Sequence, residues 1–174
     1  MINEYEIKGT NYKPVENLSN DQVISTLNGL IETCKDGQQG FQHAAEGISD
    51  PQLKTAFYQF SQQRSQFIGE LQTAVRELGG DPENSGSLLG SLHRGWIDIK
   101  SAVTGRDEAS ILSEAERGED IAKETYKAAM EKNLPANIRA VIVSQYNAVK
   151  DTHDRVRVMR DYANNATKSA RQNI

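Results

Sequence analysis

Cysteine occurs once in this chain, at Cys34, so no disulfide can close within it and no cysteine-based zinc site can be assembled. A reducing, cytoplasmic setting is the simplest inference. Aromatic residues make up only 6% of the sequence, too few for a sandwich of short strands and suited to amphipathic helices around an aliphatic core. No stretch approaches the roughly 20 apolar residues that a membrane-spanning helix needs, and the opening MINEYEIKGTNYKPVEN has no apolar run of a secretion signal. An excess of positive charge is also missing. With a net charge of −4, a broad phosphate-binding surface is disfavoured, because nucleic-acid affinity comes mostly from neutralising backbone charge. The cations near the end, Arg155, Arg157, Arg160, Lys168 and Arg171, share their stretch with Asp151, Asp154 and Asp161 and describe a solvated mixed-charge face. The stripes are too narrow for a helix lying in a lipid surface.

What the chain does have is apolar spacing of alternating four and three. From Ser19 or Asn20, cap-forming residues, the series Val23, Leu27, Leu30, Cys34, Gly37, Phe41, Ala44 and Ile48 puts one stripe along a helix from Asn20 to Gly47. Asp50-Pro51 opens a second helix, with an acceptor at the cap and proline where a missing N–H costs nothing. Its stripe, Leu53, Phe57, Phe60, Arg64, Phe67, Leu71, Ala74 and Leu78, ends before Gly79-Gly80-Asp81-Pro82. Only Ile48 and Ser49 separate these two helices, so they must form an antiparallel hairpin. A third helix, Arg106 to Glu131, carries Leu112, Ala115, Glu119, Ala122, Tyr126 and Ala129. The fourth follows Pro135 with Ile138, Ile142, Gln145, Val149, Thr152, Val156 and Met159.

Between the second and third helices the stripe Leu89, Leu92, Trp96, Ile99 and Val103 predicts a short helix within a long crossover. Two antiparallel hairpins joined by one long crossover make an all-α four-helix bundle. The bundle covers residues 19–163, between an N-terminal extension, 1–18, and a polar, aperiodic tail, 164–174.

Three strings carry a resemblance: CKDGQQGFQHAAEG at 34–47, SLHRGWIDIKSAVTGRDEASIL at 91–112 and SEAERGEDIAKETYKAAM at 113–130. They resemble a bacterial ferritin-like four-helix-bundle family, known mostly as domains of unknown function. The resemblance implies a ferritin-like fold, oligomer formation and an association with bacterial stress responses, and it supplies no reaction.

A di-iron site in such a bundle takes a Glu from each of two helices and a Glu-x-x-His pair from each of the other two. Here the second helix reads Gln62-Gln63-Arg64-Ser65-Gln66, and the fourth reads Lys150-Asp151-Thr152-His153, with lysine in the place of the glutamate. Both pairs are missing. A mononuclear iron or zinc site from Glu116, Glu119 and His153 is the fallback, since carboxylates three apart share a helix face. The simpler reading leaves Glu116 and His153 half-exposed and polar, with no cofactor. Arg64, Glu119 and Gln145 each fall near mid-helix, which predicts a buried Arg64–Glu119 ion pair assisted by Gln145. Cys34 reads as a small buried hydrophobe, His43 as a boundary residue and His93 as a tether for the crossover. No phosphate loop, nucleophile elbow or metalloprotease helix appears, which favours a non-enzymatic bundle acting through assembly or protein contacts. A homodimer is expected.

Overall fold

A computed structural model describes residues 18–82 and 107–172. The crossover stripe from Leu89 to Val103, His93 and residues 1–17 lie outside the described residues. The first three helices start where the local chemistry caps them. In α1, Asn20–Gly47, the Ser19 hydroxyl accepts from the Gln22 N–H at 3.3 Å while the Ser19 N–H donates to Gln22 Oε1 at 2.9 Å, a reciprocal capping box. In α2, Pro51–Glu77, the Asp50 carboxylate accepts from the N–H groups of Gln52 and Leu53. The helix stops at Gly79, whose φ of 80° is left-handed; the Gly79 N–H donates to the Arg76 carbonyl and the Gly80 N–H to that of Val75, the paired bonds of a Schellman end. In α3, Glu108–Met130, Asp107 is the cap, so the helix begins two residues later than the spacing predicts.

The fourth helix, α4, runs Ala136–Gln172 and so includes most of the residues read as an aperiodic tail. Beyond Tyr162 there is neither glycine nor proline, and Ala163, Ala166, Lys168, Ala170, Arg171 and Gln172 all favour helix. Intrinsic propensity, rather than an apolar stripe, carries this last part.

Contacts at the helix ends fix the topology. Glu108 Oε1 accepts from the Ser49 and Asp50 N–H groups at 2.6 and 3.0 Å, so α3 starts beside the α1–α2 turn. The end of α2 lies at the other end of the bundle, where Asn28 Nδ2 donates to the Asp81 carbonyl. The described end at residue 82 and the described start at residue 107 therefore lie at opposite ends of the bundle. α1 packs against α2, α3 packs against α4, and α1–α3 and α2–α4 contacts close the bundle.

The core is two apolar clusters. Around Leu27, Leu30, Ile31, Leu71, Val75 and Ile142 it is mainly aliphatic. At the α1–α2 turn three rings join an otherwise aliphatic cluster: Phe41, Phe57 and Phe60 pack together there with centroids 5.3 to 5.7 Å apart. All four phenylalanines are buried, within a core that is otherwise mainly aliphatic.

Candidate functional site: a charged layer at mid-bundle

Between those clusters every helix contributes something polar or small. α1 supplies Gly37, α2 Ser61 and Arg64, α3 Glu116 and Glu119, and α4 Thr152 and His153, all buried. Arg64 is 1% exposed and Glu119 is 0%, and Arg64 Nη2 donates to Glu119 Oε2 at 2.5 Å. Arg64 Nη1 donates to Gln63 Oε1 at 2.8 Å, and the same oxygen accepts from the Thr152 hydroxyl at 3.1 Å. The guanidinium carbon also lies 5.7 Å from the Phe41 ring centroid and 5.5 Å from that of Phe67. Burial works against the Arg64 charge, but the facing Glu119 carboxylate and its hydrogen bond, together with Cys34 and Tyr126, hold the group above its ordinary value. Burial pushes the Glu119 carboxyl up, and Arg64 pulls it back. Among the described residues, Glu119 Oε1 is one of two buried side-chain atoms without a hydrogen-bond partner.

The structure brings Arg64 and Glu119 together but leaves Gln145 out of their pairing. Gln145 Oε1 accepts from the Tyr126 hydroxyl at 2.7 Å, and its Nε2 donates to Glu70 Oε2 at 2.7 Å. Cys34 Sγ lies 3.1 Å from the Tyr126 oxygen. Because that hydroxyl spends its proton on Gln145, the thiol is the donor, and the chain runs from Cys34 through Tyr126 and Gln145 to Glu70. Gln145 misses the ion pair because this phenol, read only as an apolar stripe member, engages its amide oxygen.

Glu116 and His153 are corrected too. They are 8% and 5% exposed, not half-exposed, because the α3–α4 contact closes over them. Glu116 pairs with Arg160, and His153 Nε2 lies 4.0 Å from Glu116 Oε1, 3.0 Å from Asp120 Oδ1 and 3.2 Å from Lys123 Nζ. His153 Nδ1 lies 3.0 Å from Asp154 Oδ1, so a ring protonated on Nδ1 donates to Asp154 and accepts from Lys123. Hydrogen bonds from Lys150 and His153 hold the exposed Asp154 carboxyl at about 2. Lys123, Asp120, Asp154 and Arg160 carry no periodic signal, and only the α3–α4 register places them together. His43 is a boundary residue, 3.5 Å from Glu46.

These residues do not fit a di-metal centre. The layer holds a fixed guanidinium against Glu119, and Glu116 is committed to Arg160. Among the described residues no group of three or more His, Cys, Asp or Glu side chains is placed to hold a metal ion. A divalent cation beside Arg64 would meet like charge in a medium where repulsion is poorly screened.

Burial pushes the Cys34 thiol up to about 11, against the pull of Arg64. A group raised in this way favours its protonated folded form, so the stability it contributes is complete below the unfolded thiol value and is lost as pH rises toward 11. In native protein a thiol reagent should therefore label Cys34 only as fast as the bundle opens globally. Labelling at the rate of a free thiol would show that the packing around it is open.

Comparison with known proteins supplies the setting. A family described as "Domain of unknown function (DUF2383)" matches residues 22–132. No curated protein matches. A solved two-domain protein from Anabaena variabilis, containing DJ-1/ThiJ/PfpI-like and ferritin-like domains, superposes with a TM-score of 0.69 at 16% identity. The match covers 84% of this chain and 41% of that one, so this chain spans about two fifths of its neighbour. The likeness concerns fold: the bundle is ferritin-like. Among the described residues no helix is long and apolar enough to cross a membrane.

Proposed function

The chain belongs to the DUF2383 family, domains of unknown function, and from that premise we propose that it is a non-enzymatic ferritin-like bundle of the cytoplasm that acts through assembly and protein contacts. The stress association implied by the family resemblance is part of this reading. What carries it is the mid-bundle layer, where a ferritin-like interior is filled by a tethered cation and its carboxylate, Arg64 and Glu119, rather than by a ligand set. Chemistry then has no anchor, and the surface is left to act. On the outer face of α4, Val158 and Tyr162 lie one turn apart, 69% and 78% exposed, the most exposed large apolar residues described. We assign this face to contact with a second copy.

Light scattering should give the parent the mass of a dimer, and Tyr162→Glu the mass of a monomer with unchanged helical circular dichroism. A monomeric parent would overturn the assembly reading. A second reading, a divergent iron- or zinc-binding protein, is favoured by the unpartnered Glu119 Oε1, with Glu116 one turn earlier. Elemental analysis after dialysis decides between the two. Stoichiometric metal would support the second and remove the first.

A further inference from the structure

We infer that the mid-bundle layer is a guanidinium-binding site that the chain fills with its own Arg64, and that it is built for a planar monovalent cation rather than a divalent metal. This rests on the reading that the layer holds no metal, and it goes on to say what ligand class the layer takes. Three observations carry it. The first is charge. Glu119 is the carboxylate that meets the guanidinium; the thiol of Cys34 and the phenol of Tyr126 are both held neutral by burial, and Gln63 and Thr152 contribute neutral groups. Of the layer's two buried carboxylates, Glu116 is committed to Arg160 and Glu119 balances one positive charge, so a divalent ion in place of the guanidinium would leave a charge uncompensated.

Shape is the second. Glu119 Oε2 and Gln63 Oε1 accept from two different terminal nitrogens, at 2.5 and 2.8 Å, the spread of a fork rather than of a point charge. The third is the walls. Phe41 and Phe67 lie within 5.7 Å of the guanidinium carbon, and aromatic rings accept a delocalised, weakly hydrated cation more readily than a strongly hydrated metal ion. The stem of Arg64 passes alongside Gly37 at ordinary packing distance. A Cβ there would stand 3.5 Å from Cγ, Cδ and Nε of Arg64.

Truncation should therefore leave a vacancy that a free ion of the same class refills. In the full-length chain, Arg64→Ala should melt about 10 °C below the parent. Low-millimolar guanidinium or methylguanidinium chloride should recover a large part of that loss, since a ligand that binds only the folded state stabilises it by mass action. Urea, the neutral isostere, and sodium chloride at equal concentration should recover none, and manganese or zinc chloride less than guanidinium. Adding Glu119→Gln should abolish the recovery. Guanidinium acting no better than sodium, or divalent metal acting better than guanidinium, would overturn the inference. Should Arg64→Ala fail to fold, Arg64→Lys tests the same point, because an ammonium can reach Glu119 but cannot also serve Gln63 between two rings. That variant should melt below the parent, and equal stability would overturn the assignment. Stoichiometric metal in the parent, by contrast, would sink the non-metal reading whatever guanidinium does for the variant.

Discussion

Glu119→Ala should destabilise the bundle by about 3 to 5 kcal/mol, because it strands a guanidinium that has almost no access to water. For a chain of this size that corresponds to a melting point lower by about 10 °C, read by circular dichroism. The cost is mostly desolvation left uncompensated, not the loss of one contact. It follows that removing both charges should cost far less than removing either: Arg64→Met combined with Glu119→Leu should restore most of the stability that each single change loses. A Glu119→Ala protein that melts with the parent would mean that the guanidinium reaches water and that the layer is not closed. Surface pairs give the contrast. Lys150 and Asp154 lie 2.8 Å apart with about half of each side chain exposed, and in water such a pair contributes little.

The same asymmetry bears on function. Keeping a buried pair that apolar residues could replace at little cost is weak evidence for stability and better evidence for specifying one arrangement of helices. Arg64 from α2 and Glu119 from α3 can meet in a single register of those two helices. Ser61 fixes the neighbouring register by donating to the Gln38 carbonyl on α1 at 2.9 Å. Together they pin three helices at one level, between clusters whose aliphatic and aromatic side chains would tolerate sliding.

Helix positions and the pairing of Arg64 with Glu119 were legible in the sequence for one reason: the stripe has a strict period, and a charge within it must be buried at a predictable depth. Asn20, Gly47 and Pro51 are helix boundaries because local chemistry sets them. What local chemistry does not reach was lost. Gln145 lies at the right depth, but whether its amide turns to Arg64 or to Tyr126 depends on rotations about the helix axis that spacing leaves open. Polar sequence neighbours predict a half-exposed His153, whereas Glu116, Asp120 and Lys123, which surround it, come from another helix. The helix beyond Tyr162 is not legible from hydrophobic period, because past Ala163, which packs on the core, no apolar stripe continues and helix propensity carries the segment.

At the turn end of the bundle, Phe57→Ala is expected to cost about 3 to 5 kcal/mol, a loss as large as that of breaking the ion pair but with a different reach. Phe57 is fully buried, meets Phe41 edge to face at 5.5 Å and 83°, and lies 5.7 Å from Phe60. Truncation removes those aromatic contacts and leaves a cavity that two other rigid rings cannot fill. Phe60 in turn carries the Arg155 guanidinium at 4.7 Å, and Arg155 lies one turn before Val158 on α4. Loosening the ring cluster should thus loosen the segment of α4 that presents Val158 and Tyr162. Hydrogen exchange should show lost protection in the last turns of α1 and in α4 around Val156, while the aliphatic end near Leu27 stays protected until global unfolding. Phe57→Leu, which keeps most of the volume, should recover much of the stability. Uniform loss of protection along all four helices would contradict the division into two clusters, since the charged layer could not then act as the boundary between independently loosened ends.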